Sequence, residues 1–370
     1  MNGKILITGG AGFIGSHLCD ELTERGYEVR ILDNLSEQVH GAWAAIPKYM
    51  NPNTEFVVGD IRDKMAVKDA LNGVDAVFHF AAKVGVGQSM YEIEKYTEVN
   101  NLGTSILLEE LILQPVKKLI VASSMSIYGE GMYIDQDGKK IMNGRRNLSD
   151  LRNDVWELHK EGSMLSPVPT PEEKTPDLSS IYALSKYDQE KMCLITGAAY
   201  DIPTVALRFF NVYGTRQALS NPYTGVLAIF AARLLNKKPP LIFEDGQQKR
   251  DFIHVRDIAR ACCAALEMPN AEGEVFNVGS GRHYTIAEIA AKLSQVMRIN
   301  IEPRITEEYR MGDIRHCYAD ISKMQNILGF TPQINLEDGL AELAEWLKEQ
   351  TAEDRITTAG RELAERGLTI

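Results

Sequence analysis

Tyr182 and Lys186 stand four residues apart in Tyr182-Ala183-Leu184-Ser185-Lys186, a spacing that puts both side chains on one face of a helix. A phenol with an ordinary pKa of about 10 is a poor base at neutral pH, but a neighbouring ammonium favours the phenolate and lowers that value. Such a tyrosine can take the proton of an alcohol while the carbon gives up a hydride. Ser124, which closes the run Leu119-Ile120-Val121-Ala122-Ser123-Ser124, can share the same hydroxyl through a short hydrogen bond. On its own, a Tyr and a Lys at this spacing describe many solvated helix faces. Their weight comes from a second motif near the start of the chain.

That motif is Thr8-Gly9-Gly10-Ala11-Gly12-Phe13-Ile14-Gly15. It succeeds an apolar run over 4–7 and opens a helical pattern to about Arg25, with Ile14, Leu18 and Leu22 on one face and Gly26 as its stop. In that context the glycines permit a tight turn and close backbone approach to a pyrophosphate, which the helix N-terminus attracts. Gly9, Gly12, Phe13, Ile14 and Gly15 are therefore expected to bind a dinucleotide. Asp33, with Asn34 beside it, ends the next apolar run, where an acidic residue meets the adenosine ribose hydroxyls. A carboxylate there repels the extra phosphate of NADP and no Arg stands close after it, so NAD is the expected cofactor.

The elements that must position these groups are legible as a pattern. Residues 4–7, 28–32, 54–58, 76–80, 119–123 and 204–209 read as short buried strands, and 182–199 as a helix. Strands separated by helices predict a Rossmann-type doubly wound parallel sheet with right-handed crossovers. Residues 1–212 form the predicted nucleotide-binding domain, interrupted by a polar segment at about 130–176 and receiving about 250–268 from later in the chain. Residues 213–350 form a smaller C-terminal α/β substrate domain that ends on a helix with Leu336, Leu340, Leu343 and Leu347 on one face. The charged stretch 351–370 reads as a surface appendage.

Composition narrows the partners. The 370 residues carry a net charge of −11, which disfavours nucleic acid as a partner, although one Arg or a helix N-terminus suffices for a diphosphate. No apolar run approaches the roughly 20 residues that span a bilayer, so no membrane association is expected. The chain enters a strand directly from Met1, which predicts a cytoplasmic protein. Cys19, Cys193, Cys262, Cys263 and Cys317 form no CxxC pair and read as buried thiols. The 130–176 segment holds Trp156 and His159 but no Cys, and no metal is expected.

With these motifs in order, the sequence resembles the extended short-chain dehydrogenase/reductase family, in the NAD-dependent branches that act on nucleotide sugars. Further matching segments are Gly59-Asp60-Ile61-Arg62-Asp63, His79-Phe80-Ala81-Ala82, Val99-Asn100-Asn101-Leu102-Gly103-Thr104 and Leu207-Arg208-Phe209-Phe210-Asn211. Arg250-Asp251-Phe252-Ile253-His254 and Phe276-Asn277-Val278-Gly279 match as well, so the likeness extends to about residue 348. It implies catalytic roles for Ser124, Tyr182 and Lys186, and cofactor contacts at Asp60, Ile61, Ala81, Ala82, Asn100 and Ser123. Asp60 and Asn100 are also ordinary cap and turn formers, and both readings stay open. For the substrate it implies Asn211, Asn221, Val226, Leu227, Arg250, Arg310 and Asp313 around the diphosphate and nucleoside. A homodimer built on paired helices is implied too.

The two residues after Ser124 set the branch. The family's dehydratases carry an Asp-Glu pair there, its decarboxylases keep a Glu, and its 3,5-epimerases use a Cys. This chain has Met125 and Ser126, neither of which can move protons as a carboxylate does. The resemblance thus implies epimerisation at C4 through a transient 4-keto sugar, on a dTDP-L-rhamnose or UDP-hexose type of substrate. A dehydratase or reductase of the same family is the alternative, and a non-catalytic NAD-sensing regulator the remote one. The gap from Tyr128 to Tyr182 is long for a simple member, leaving 130–176 as a lid, an oligomer contact or a plain excursion.

Overall fold

The computed structural model describes residues 2–42 and 45–369. Seven strands form one parallel sheet: β1 (Asn2–Thr8), β2 (Tyr27–Asp33), β3 (Glu55–Val58), β4 (Ala76–His79), β5 (Lys118–Ser124), β6 (Thr204–Phe209) and β7 (Val275–Val278). Their order is β7-β6-β5-β4-β1-β2-β3, with every neighbouring pair parallel. The order reverses between β1 and β4, which opens a crevice at their C-terminal ends. This is a Rossmann sheet, as the strand and helix alternation predicts.

Helices cover both faces because the strands are apolar on both sides. On one face α1 (Phe13–Glu24) packs with α6 (Val255–Glu267) over Ile5, Ile31, Phe78 and Ile120. On the other, α2 (Lys64–Leu71), α3 (Gly103–Leu113) and α4 (Ile181–Ala199) cover Leu6, Val77, Leu119 and Val121. A separate core gathers α5 (Val226–Leu235), α7 (Ile286–Met297) and α8 (Leu336–Leu347) around Phe230, Leu293 and Leu340. The chain returns from this second unit to the sheet with β7, and Met324, Leu328 and Phe330 join the first core. All five cysteines are buried. No helix among the described residues is long and apolar enough to cross a membrane.

Two segments depart from expectation. Residues 130–176 are not a featureless excursion, since Met132–Ile134, Lys140–Ile141 and Ser166–Val168 pair into a small antiparallel sheet. Arg146 within it is buried, with Glu130, Glu244 and the Asp313 carbonyl accepting its hydrogen bonds. The tail is not an appendage either. Helix α9 (Ile356–Glu365) folds back and buries Ala359 and Leu363, while Asp354 ion-pairs with Arg233 and Lys238. A run of charge hides an i, i+3, i+7 apolar stripe made by Ile356, Ala359 and Leu363.

α4 is fixed to the sheet by a buried ion pair. Glu190 accepts from Arg208 Nε at 2.9 Å and Nη2 at 2.8 Å, and from the Ser123 hydroxyl at 2.7 Å. Replacing Arg208 by Met strands that carboxylate in the core, and urea unfolding should report a loss of about 3–5 kcal/mol. A loss below about 1 kcal/mol would show that the pair does not hold the helix.

Candidate active site

A cavity of about 840 Å³ runs from the β1–β4 crevice to the second unit, and it takes in nearly all the candidate site residues. At its inner end Gly9 has φ +71°, and a Cβ there would lie 2.8 Å from the Ala81 amide nitrogen. At Gly15 a Cβ would come within 2.7 Å of both Gly10 Cα and the Gly9 carbonyl. Only glycine allows the loop to lie this low across the two strand ends. Gly12 provides no side-chain cap for α1 and the first turn holds no acid, so the amides of Phe13, Ile14 and Gly15 are open to an anion. Asp33 Oδ2 accepts from the Ala11 amide at 3.0 Å and Oδ1 from the Leu35 amide at 2.8 Å, which fixes the carboxylate along the cavity wall. Loop, open helix end and carboxylate together fit the diphosphate and adenosine ribose of NAD.

Some expected cofactor residues are placed differently. Ile61, Ala81, Ala82 and Asn34 line the cavity; Asp60 does not. Its carboxylate is tied to Asn34 and Arg62, and the Arg62 guanidinium holds its pKa down at about 2. Arg62 lines the cavity in its place. Asn100 is fully buried and stays outside the cavity, exchanging hydrogen bonds with the Lys83 backbone and reaching Ser185 Oγ at 2.9 Å. It is a brace between the loop after β4 and helix α4, the cap-like reading that its sequence leaves open. Ser123 lines the cavity wall but commits its hydroxyl to Glu190.

At the middle of the cavity β5 and α4 bring Ser124, Tyr182 and Lys186 together. The Ser124 oxygen accepts from the Ser126 hydroxyl at 2.9 Å and from its amide at 3.2 Å. Burial raises the Tyr182 phenol above its ordinary value, while its hydrogen bond with Ser124 works in the opposite direction. Burial also pushes the Lys186 ammonium down to about 8. The Tyr182 amide donates to Ser89 Oγ at 3.0 Å, so the loop after β4 closes over the helix start.

The outer half gathers the expected substrate residues. Asn211, Val226 and Leu227 line it, as does Asn221, whose Oδ1 accepts from Gln38 Nε2 at 3.2 Å. Arg250 is held by the Lys249, Ile314 and Arg315 carbonyls. Arg310 grips Asp313 at 2.9 Å over the Phe243 ring. Residues 351–370 add a wall that their charged composition does not announce. Ile356, Ala359, Gly360 and Leu363 of α9 line the cavity, and Glu362 accepts from Tyr91 at 3.0 Å and from Tyr223 at 3.3 Å. The apolar stripe of α9 is the one signal for it in the sequence.

A dinucleotide trough that ends on a Ser, Tyr and Lys cluster is the working part of a nicotinamide-dependent enzyme acting on a secondary alcohol. Comparison with known proteins places it more narrowly. The model of the NAD dependent epimerase/dehydratase family matches residues 5–146 and 161–279. The chain is 33% identical over 352 residues to a dTDP-L-rhamnose 4-epimerase of Burkholderia thailandensis, covering 94% of this chain and 95% of the relative. Among solved structures it is similar to the UDP-glucose 4-epimerase of Thermotoga maritima with UDP-glucose, at TM-score 0.76, 31% identity and coverage of 94% and 99%. The UDP-glucuronic acid 4-epimerase of Bacillus cereus, in complex with UDP-glucuronic acid and NAD, gives TM-score 0.77 at 29% identity, covering 94% and 99%. The chain belongs to the NAD-dependent epimerase/dehydratase family and is an NAD-dependent enzyme.

If α9 is a wall of the substrate cleft, truncation after Gln350 should raise KM for a nucleotide sugar about tenfold, the worth of one or two buried apolar side chains. Tightly bound NAD should remain. An unchanged KM would return the tail to the surface.

Proposed function

We propose that the enzyme inverts C4 of a nucleotide-diphosphate sugar through a transient 4-keto intermediate. The observation that carries this reading is the absence of a working carboxylate beside Ser124. The carboxylates lining the cavity among the described residues are Asp33, Glu244 and Asp313. Asp33 is held by backbone amides at the ribose end, Glu244 by Arg146 and Arg315, and Asp313 by Arg310. Met125 and Ser126 fill the places where loss of water or carbon dioxide would need an acid or base, and Ser126 gives its hydroxyl to Ser124.

The glycine loop at 9–15, the open N-terminus of α1 and Asp33 would hold NAD, which would supply a hydride acceptor and donor for C4. Tyr182 takes the C4 hydroxyl proton and gives it back, Ser124 orients that hydroxyl, and Lys186 favours the phenolate. Arg250 and Asn211 lie where a diphosphate can be gripped by charge-assisted hydrogen bonds. The ketone, once formed, meets no group that would consume it, so it turns over in the cleft and takes hydride on its other face. Similarity to the B. thailandensis enzyme supports a dTDP-linked 6-deoxyhexose, with UDP-hexoses next.

Purified protein, given no added cofactor, should convert one member of a panel of dTDP- and UDP-sugars to its C4 epimer by NMR. Denaturation should release nicotinamide, with no net NADH formed during turnover. Loss of water or carbon dioxide would refute the reading of Met125 and Ser126. Tyr182→Phe should lower kcat by about 10²–10⁴ with NAD still bound.

A homodimer in the cytoplasm is part of the same proposal. Leu113 at the end of α3 and Ile195 on α4 are 71% and 66% exposed on neighbouring helices, an apolar face for a second copy. Light scattering should give twice the chain mass, falling to one with Leu113→Glu and Ile195→Glu together.

A further inference from the structure

The catalytic lysine is held in an unusual way. Lys186 is 3% exposed, and its ammonium donates to Gln189 Oε1 at 2.6 Å, with no carboxylate among the described residues bonded to it. Gln189 is itself fully buried one turn further along α4. An ammonium only donates, so the amide must present its oxygen to Lys186 and its NH2 group to the opposite side. There Nε2 lies 2.9 Å from Thr104 Oγ1 and 3.4 Å from the Ala81 carbonyl, its two acceptors, with His79 Nε2 3.2 Å away.

The proton count around that amide closes. Thr104 has one hydroxyl proton, and the Asn100 carbonyl at 2.5 Å takes it. His79 Nε2, 2.8 Å from the same oxygen, is then the donor, so Nδ1 accepts from the Thr8 hydroxyl at 2.8 Å. Thr8 Oγ1 in turn accepts from the Ala81 amide at 3.2 Å. Burial pushes His79 down to about 3, so the ring stays neutral across the working range. Each side-chain polar atom of Gln189, Thr104, His79 and Thr8 thus has a partner, and the amide cannot flip without setting its NH2 group against the ammonium. The far ends of the network are Thr8 and Ala81, the strand ends on which Gly9 lies.

We infer that Gln189 is a positioning residue, which fixes the Lys186 ammonium against the cofactor-bearing ends of β1 and β4 without cancelling its charge. The inference rests on the reading of Tyr182 as the base. A carboxylate in this place would anchor the ammonium equally well but would neutralise the field that favours the Tyr182 phenolate. A neutral acceptor anchors it and leaves the charge to act. The other groups facing the pair leave that field intact. Glu190 is committed to Arg208 and Ser123, and Cys193 is a buried thiol that burial pushes up to about 12. Tyr96 stands edge-on to Tyr182 at 6.5 Å with its hydroxyl held by the Val84 and Gly85 carbonyls. Lys83 pairs with Glu92 at 3.1 Å.

The test is a pH titration of phenolate absorbance on NAD-loaded protein, with the Tyr182→Phe spectrum subtracted so that Tyr182 alone is read. Gln189→Glu keeps the shape and adds a charge, and Gln189→Met removes the acceptor in nearly the same volume. Both should raise the Tyr182 midpoint by about one pH unit or more, the first by cancelling the ammonium's field and the second by releasing it. The acid limb of kcat should move to higher pH with it, while KM stays within about twofold, as expected when only proton transfer is affected. Either variant titrating with the parent would overturn the assignment, since a space-filling glutamine moves no midpoint. No sugar is needed, so a chain that epimerises nothing on the panel still answers the question. A parent without a Tyr182 titration below pH ~10 would sink the base itself, and Gln189's role with it.

Discussion

Glu190 sits fully buried on α4 and receives two guanidinium bonds from Arg208 on β6 and a hydroxyl bond from Ser123 on β5. Two strands and a helix thereby meet at one carboxylate. A charge buried this deeply is tolerated only when its lone pairs are all engaged, so the contact admits one register and no neighbouring one. Tyr182 and Lys186 lie two turns and one turn before Glu190 on the same helix, and Ser124 comes directly after Ser123 on the strand. Ser124, Tyr182 and Lys186 are thus placed by a pair that lies outside the cavity they line.

The outer half of the cleft is built on the same economy of charge. Arg315 is 1% exposed and donates to Glu157, Glu244 and Asp245, while Arg146 reaches Glu130, Glu244 and the Asp313 carbonyl. Glu130 also accepts from the Arg315 and His316 amides. Through these bonds residues 130–176 clasp the stretch of chain at 310–316 that carries Arg310 and Asp313 into the cleft. The network absorbs Glu244, and Arg310 holds the Asp313 carboxylate, leaving the cavity with cations and amides for a diphosphate and no free acid near Ser124. These buried bonds make the long segment before Tyr182 a brace, since a plain excursion would have left Arg146 in water.

The sheet, the glycine loop and the Tyr and Lys spacing are legible in the sequence because local physics dictates them. Apolar strands, a turn that only glycine can make, and helical periodicity each leave a mark within a few residues. The ends of β6 fall where the pattern puts them, those of β5 within a residue, and the four leucines read as one face of α8 are all buried. β7 escapes the strand pattern, although Phe276-Asn277-Val278-Gly279 stands out as a motif, because a short edge strand late in the chain has no alternating neighbours to announce it.

By itself the sequence determined the elements on which the proposed chemistry rests: a glycine loop between strand and helix, a carboxylate ending the next strand, a tyrosine and a lysine four apart, and no acid directly after Ser124. Only the tertiary structure decided which polar residues face the cleft and which hold it together. In sequence Asp60 and Asn100 read equally as cofactor contacts or as cap and turn formers; in the structure Asp60 bonds Asn34 and Arg62 off the cavity, and Asn100 bonds the Lys83 backbone and Ser185. Gln189 and the apolar stripe of α9 acquire their roles only where distant segments meet. Residue type fixes what a group can donate or accept, but the partner comes from the fold, because most of these contacts join residues far apart in the chain.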